Sequence, residues 1–385
     1  LKAVDEGMTV IYANINPEIV GWARQRSRLS TSGLAKSLGI PEAKLVKWES
    51  GDKSPTLRQA RNIASKTHIP LGYLYLNKPP EEHLELPDLR TLNNTQLNRP
   101  SPELLELVIL MHERVSWYAD YLRDQGITTN PCVGRCGDKD SVIEIVNDIR
   151  QTLNIPESGH RGNQEKYFKL LINRIESAGI LVMKQATIHN HRHLSVAEFR
   201  GFAISDPIAP LIFVNSADVR CACLFTLIHE LAHIWLGQSG ISDASPDTQK
   251  ALEVKCNAIA AEFLVPVNEF LQSWEELEDW KKNINNLKHQ FHTSRWVITR
   301  RAQSLGKITL TQYRQYTAQL IEEYRGQDKP TGGNYYVTKN SQISRPFSEA
   351  MLSEALSGKV LLREAGQLLD MSPPSIINYA KKLGV

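Results

Sequence analysis

The sequence predicts a mainly α protein with a small β-sheet, an α+β chain of several domains. Three observations predict it. Apolar residues recur at intervals of three and four over most of the chain; three short apolar runs lie close together between Gly179 and Asn215; and a stretch carrying Pro79, Pro80, Pro87 and Pro100 interrupts the helical spacing. The 385 residues are 41% hydrophobic and 23% charged, enough apolar surface for two or three cores. No apolar run approaches the roughly 18 residues that crossing a bilayer demands, and the N-terminus lacks a basic, apolar, small-residue signal. A cytoplasmic protein with no membrane contact is expected. Cys132, Cys136, Cys221, Cys223 and Cys256 are odd in number and suggest no disulfide framework, so free thiols are expected. Leu1–Gly7 precede Met8, which reads as the natural start.

Charge is uneven along the chain. The whole sequence carries +3, yet residues 8–80 hold 11 Lys and Arg against Glu18, Glu42, Glu49 and Asp52, leaving the remainder net negative. One small basic segment joined to a larger acidic one suggests a polyanion-binding module tethered to something with another task.

Within that basic segment, apolar spacing predicts short helices around Ile19–Ala23, Leu34–Leu38 and Leu45–Trp48, then a fourth and a fifth through Leu57, Ile63, Ala64 and Ile69. Between the second and third stands Leu38-Gly39-Ile40-Pro41, where Gly39 can take the left-handed conformation that stops a helix and Pro41 can open the next. The pattern is an all-α helix-turn-helix domain. Its Trp48-Glu49-Ser50-Gly51 to Pro55 segment resembles the signature of the phage-repressor-like XRE family of DNA-binding domains. The resemblance implies double-stranded DNA as partner and a homodimer on paired half-sites. It places Glu42, Ala43, Lys44 and Lys47 at base edges or phosphates, with Leu45 and Trp48 facing inward. The second helix opens with Ser30-Thr31-Ser32, without the Gln that many relatives use to contact the DNA backbone.

The prolines between Leu76 and Pro100 rule out a continuous helix or central strand and mark a linker at 77–101. Helices are expected at 102–125 and 142–153, bracing the next domain. Cys132-x-x-x-Cys136 has no partner pair at zinc-knuckle spacing and reads as two loop thiols. After a helix ending near Ala178, strands are expected at 179–183, 197–205 and 210–215. His189, His191 and His193 alternate in the connection, where a solvent-exposed loop or edge is preferred over a metal site.

A stronger constellation follows. Phe225 to Leu236 holds His229-Glu230-Leu231-Ala232-His233 inside an apolar helical pattern. A spacing of four stacks both imidazoles on one helix face, where two nitrogens reach a single Zn²⁺ and leave Glu230 beside it as general base. A second helix from about Gln249 to Pro266 offers Glu253 as third ligand, with Asn257 one turn later as a hydrogen-bond partner for a ligand histidine. Glu262, the rival, lies about half a revolution from Glu253 and reads as solvated.

The block Glu253-x-x-Cys256-Asn257-Ala258-x-Ala260-x-x-Phe263-Leu264-Val265-Pro266, after the His-Glu-x-x-His helix, resembles the ImmA/IrrE family of metallopeptidases. The resemblance runs from Val142 to Gly306 and includes Phe199-Arg200-Gly201-Phe202, Ile212-Phe213-Val214-Asn215 and Phe291-His292-Thr293-Ser294. Cys256 stands where relatives usually have Ala, and Lys255 where many have an acid. The family implies a zincin-like peptidase domain and a zinc-dependent protease cutting regulatory proteins, often helix-turn-helix repressors, in stress response, prophage control or defence. The alternative is a DNA-binding antitoxin or scaffold whose peptidase-like domain holds a partner, of toxin or antitoxin type, without cutting it. The oxyanion donor stays open among His189, His191, His193 and nearby tyrosines.

The last region, 307–385, is expected to be helical. Phe347–Leu356 and Val360–Leu369 read as helices, followed by a Met371-Ser372-Pro373 turn and Ile376, Tyr379 and Leu383 at helical spacing. This too resembles a helix-turn-helix, although an element packed on the peptidase fits equally well. The expected domains are therefore 8–76, 102–306 and 307–385, with the linker between the first two.

Overall fold

The computed structural model describes residues 12–27, 29–80, 100–137, 139–156, 163–188, 192–242, 251–277, 279–325 and 342–385. The described residues group into two compact units, the first holding 12–80 and 100–106, the second beginning at Leu107. The fold is α+β, mainly helical with a small mixed sheet.

In the first unit, α1 (Pro17–Arg26), α2 (Thr31–Leu38), α3 (Glu42–Glu49) and α4 (Leu57–Lys66) precede a short 3₁₀ helix, Leu71–Tyr75. The ends of these helices are set locally. Asn16 accepts from the Glu18 amide, Ser30 from Gly33 and Thr56 from Gln59, satisfying donors that a helix start leaves open. Gly39, at φ 66°, ends α2 as expected. Pro41 differs slightly from expectation: it is the N-cap of α3 and lies just before the first helical residue. Ile19, Val20, Ala23, Leu34, Ala35, Leu45, Trp48 and Ile63 fill one core. Arg24 grips Glu49 with two bonds, Nε to Oε1 at 2.7 Å and Nη2 to Oε2 at 3.0 Å, tying α1 to the end of α3. The Glu of the Trp-Glu signature is thus a brace.

The second unit contains most of α5 (Pro102–Asp124), then α6 (Val142–Thr152) and α7 (Gln164–Ser177). Its sheet has the order β1 (Leu181–Gln185), β5 (Leu211–Asn215), β4 (Gly201–Ile204), β6 (Gly240–Ser242). β1 and β5 are parallel, whereas β4 is antiparallel to both its neighbours. A separate pair, β2 (Thr187–Ile188) and β3 (Arg192–His193), is antiparallel. Every residue of β4 and β5 is buried, because both sheet faces are covered. Val182, Ala203, Ile212 and Val214 share a core with α8 (Arg220–Trp235), while Phe202 and Phe213 stack at 5.0 Å.

The strand expected over 197–205 is shorter than its apolar pattern, since Glu198 and Phe199 donate back to the Ser195 carbonyl in a turn and pairing starts at Gly201. After α8, Gly237, at φ 65°, ends the helix, and Gly240 begins β6 at the edge of the sheet.

After α9 (Ala251–Leu264) come α10 (Val267–Ser273), α11 (Trp280–Gln290), α12 (Arg295–Ser304) and α13 (Leu310–Arg325). Three more helices follow, Arg345–Leu356, Leu362–Leu368 and Pro373–Leu383; the first sets Phe347 edge-on to Trp117 of α5, and Ser344 N before it donates to Met183 Sδ of β1 at 3.2 Å. The fully buried Arg114 of α5 donates from Nε to the Leu368 carbonyl at 2.7 Å, lies over the Phe347 ring and meets Met183 Sδ at 3.7 Å. Burial pushes its pKa down to about 10, against the opposing pull of Asp370, Tyr379 and Glu113. Among the described residues no helix is long and apolar enough to cross a membrane.

Candidate metal centre

The site is built on two helices that exclude water. α8 is buried on all sides from Thr226 to Trp235, with the sheet on one flank and α9 on another, as a helix apolar all round must be. Its C-terminal carbonyls, which no residue of the helix can satisfy, accept from a loop: Gly134 N donates to Ile234 O and Cys136 N to Trp235 O, both at 3.0 Å. Asp148 of α6 then accepts from Trp235 Nε1 at 2.8 Å and from Arg135 Nε at 2.7 Å. The active helix is therefore locked at the end that carries His233. Cys132 and Cys136 belong to this capping loop, the first buried and the second half-buried, and both are free thiols. Lys255 reaches back from α9 to the Gly137 carbonyl at 3.1 Å.

The three residues assigned as metal ligands come together. His229 Nε2 lies 3.1 Å from Glu253 Oε2, His233 Nε2 lies 3.2 Å from Glu253 Oε1, and the two Nε2 atoms are 3.3 Å apart. One ligand atom from each of the three falls within 4.8 Å of the others, the sole such group among the described residues. Two imidazoles and one carboxylate converging on a point fit Zn²⁺, which prefers nitrogen and oxygen donors of this kind and in catalytic sites takes three protein ligands. Asn257 Oδ1 stands 3.1 Å from His229 Nδ1. With Nε2 turned to a metal, Nδ1 would carry the proton and donate to Asn257, which would fix the tautomer and the ring.

Burial alone would raise the Glu253 carboxyl pKa, but hydrogen bonds and charge from His229 and His233 overcome it and hold the group well below the usual carboxylate range. Burial, with Glu253 and Glu230 nearby, pushes the Cys256 thiol far up, so the cysteine that replaces the usual alanine behaves as a small neutral filler.

Glu230 is fully buried. It faces β4 at Gly201, where an added Cβ would come within 3.1 Å of Glu230 Oε1, 2.5 Å of Thr226 Cγ2 and 2.7 Å of the Phe213 carbonyl. Only glycine fits there. The fit is also tight at Gly240 on β6, where an added Cβ would stand 3.0 Å from His233 Cε1 and the ring would have to give way slightly. The Gly201 contact gives a physical reason for the Phe-Arg-Gly-Phe resemblance; the Gly240 contact was not legible, since a three-residue strand leaves no periodic signal. Asn215, fully buried, accepts from the Ala217 amide and donates to the Phe199 carbonyl, bracing β5 on the approach to β4.

One expectation changes. Glu262 is not on a solvated face: it is half-buried, ion-paired with Arg301 of α12, and accepts from the Val267 amide at 3.1 Å. Half a turn from Glu253 is occupied by another helix. Of the three alternating histidines, His193 is exposed on β3, and His189 and His191 lie outside the described residues.

In the first unit, Glu42, Ala43, Lys44 and Lys47 are all exposed on α3, while Leu45 and Trp48 are buried, the division expected of a recognition helix. Lys44 Nζ sits 5.5 Å from the Trp48 ring centre.

Comparison with known proteins agrees with the geometry at the metal centre. The family model described as Peptidase_M78, IrrE N-terminal-like domain, matches residues 175–303, and a model described as a domain of unknown function (DUF8813) matches residues 343–382. No curated protein matches. Among solved structures, Bacillus thuringiensis PlcR in complex with the peptide PapR7 and DNA aligns over 97% of this chain and 94% of that chain at 13% identity, with a TM-score of 0.16, too low to carry an argument. The chain therefore carries, from the end of α7 to α12, a metallopeptidase-type domain of the IrrE N-terminal-like family.

Proposed function

We propose that the chain is a DNA-binding regulator whose IrrE-like domain is a zinc endopeptidase acting on a separate regulatory protein, a helix-turn-helix repressor or an antitoxin. The observation that carries the reading is the convergence of His229, His233 and Glu253 within 4.8 Å, with Glu230 buried one position from the first ligand. Zinc held there would polarise a scissile carbonyl and lower the pKa of a water toward about 7. The chain's own residues do the rest. His229 and His233 present Nε2 from consecutive turns, Asn257 holds the first ring, and the braced end of α8 holds the second. The Glu230 carboxylate takes a proton from the attacking water and delivers it to the departing amine. Its burial strengthens that exchange by keeping bulk water out.

The exposed Lys44 and Lys47, on a helix whose Glu49 is turned to Arg24, support duplex DNA as the partner of the first unit. A linked peptidase would then act near its own operator at raised local concentration. Incubating the zinc-loaded chain with the products of its neighbouring genes, and reading cleavage by mass spectrometry, tests the proposal. A cut made by the wild type and not by Glu230→Gln is expected. A partner that binds tightly yet stays whole with both proteins would favour the antitoxin or scaffold reading.

A further inference from the structure

The domain of unknown function at the C-terminus repeats, residue for residue, the backbone of the N-terminal turn. In the first unit α2 ends at Gly39, at φ 66°; Gly39 N donates to Lys36 O at 3.1 Å, Ile40 N to Ala35 O at 3.1 Å, and Lys44 N to Pro41 O at 3.0 Å. At the C-terminus the helix Leu362–Leu368 ends before Asp370, at φ 50°; Asp370 N donates to Gln367 O at 3.2 Å, Met371 N to Gly366 O at 2.9 Å, and Ser375 N to Ser372 O at 2.9 Å. Every C-terminal residue in these bonds stands the same distance along the chain from its N-terminal counterpart.

Burial follows the same register. Leu34 and Ala35 correspond to Ala365 and Gly366, and Leu45 and Trp48 to Ile376 and Tyr379; all eight are buried. Gly366 explains how the turn closes so tightly, because a Cβ there would lie 2.8 Å from the Met371 carbonyl and close to the Pro373 ring. The preceding helix, Arg345–Leu356, completes a three-helix unit, with Tyr379 donating to Ser348 Oγ at 3.2 Å.

We infer that residues 362–383 are a second helix-turn-helix and that the helix Pro373–Leu383 is a second contact surface for duplex DNA. The choice of DNA rests in part on the reading of the first unit. Pro374, Ile377, Asn378 and Lys381 are exposed at spacings that share one helix face, flanked by exposed Lys382. No acidic residue follows Asp370. Ile377 takes the position of Val46, which is exposed to nearly the same degree, 46% against 49%. An apolar side chain at that position suits a thymine methyl, and Asn378, in the place of Lys47, suits adenine. By its other side, which carries the buried Ile376 and Tyr379, the helix packs on the two helices before it, so the DNA-facing side is presented by the peptidase-bearing unit itself.

The test is a salt series of fluorescence-anisotropy titrations on a labelled mixed-sequence duplex, using the full chain as wild type, Lys44→Ala/Lys47→Ala, Lys381→Ala/Lys382→Ala and the fourfold variant. Each phosphate contact contributes about 0.9 to the slope of log affinity against log salt. Losing Lys381 and Lys382 should flatten the slope by about 1.8, narrowing the affinity change between roughly 50 and 200 mM salt by about tenfold. The fourfold variant should lose both contributions. If Lys381→Ala/Lys382→Ala leaves affinity and slope unchanged while Lys44→Ala/Lys47→Ala weakens both, the C-terminal surface does not bind DNA and the first-unit reading stands. The opposite pattern supports the C-terminal surface and overturns the first. Should the C-terminal pair have no effect on DNA while Ile377→Glu changes the sedimentation mass of the chain, the face is a protein contact, and the inference fails.

Discussion

The metal centre and the α3 surface use burial in opposite ways. At the metal centre the working side chains are the interior: His229, Glu230 and His233 are 4%, 0% and 0% exposed, and their partners come from a neighbouring helix, a capping loop and two glycine-lined strands. On α3 the side chains proposed to meet DNA are outside, and the interior residues Leu45 and Trp48, with the Arg24–Glu49 brace, hold the helix in place. Function and stability are therefore fused in the first region and separable in the second. Substitutions at the metal centre should disturb chemistry, metal affinity and fold together, unless they change one atom; those on α3 should change binding alone.

The largest expected effect is on cleavage. Glu230→Gln keeps the shape of a buried side chain and removes only its basicity, so turnover should fall by about 10²–10⁴-fold, the usual contribution of a positioned acid or base, in a mass-spectrometric assay of the identified substrate. An equal loss of thermal stability would show that the two roles of Glu230 cannot be divided. Next, Asn257→Ala should weaken zinc binding by about 10–100-fold in a competition titration with a chromophoric chelator, because His229 loses the group that orients it. Unchanged affinity would mean that packing on α8 alone holds the ring.

Gly201→Ala should lower stability by about 1–3 kcal/mol in a denaturant titration, since the added methyl meets the Phe213 carbonyl and Thr226, neither of which can move far within the core. A neutral result would loosen the fit inferred around Glu230. The smallest stability effect belongs to α3. Lys44→Ala/Lys47→Ala should flatten the salt dependence of DNA binding while leaving the unfolding free energy within about 0.5 kcal/mol of wild type. Destabilisation there would break the contrast between the two regions.

The same contrast decides what could be read in advance. Glycine at the end of α2 and the spacing of Leu45 and Trp48 are local signals, and the helix-turn-helix follows from them. The candidate zinc ligands were legible for a similar reason: His229 and His233 lie one turn apart on one helix, and Glu253 and Asn257 share the next. Features that depend on what packs against an element were not. Helical phase placed Glu262 opposite Glu253 but could not show that Arg301 of α12 waits there. Nor could it show that the loop carrying Gly134 and Cys136 caps α8, because backbone donors leave no mark in side-chain pattern. The C-terminal turn was harder to read than the first since Asp370, and not glycine, takes the left-handed position.

The central claim is that His229, His233 and Glu253 hold a metal while Glu230 does not. Metal analysis of purified wild-type, Glu230→Gln and His233→Ala chains, each loaded with zinc and then dialysed, tests it most directly. One zinc per chain is expected in the first two and none in the third. Release of zinc by Glu230→Gln as readily as by His233→Ala would contradict the division of roles on which the proposed chemistry depends.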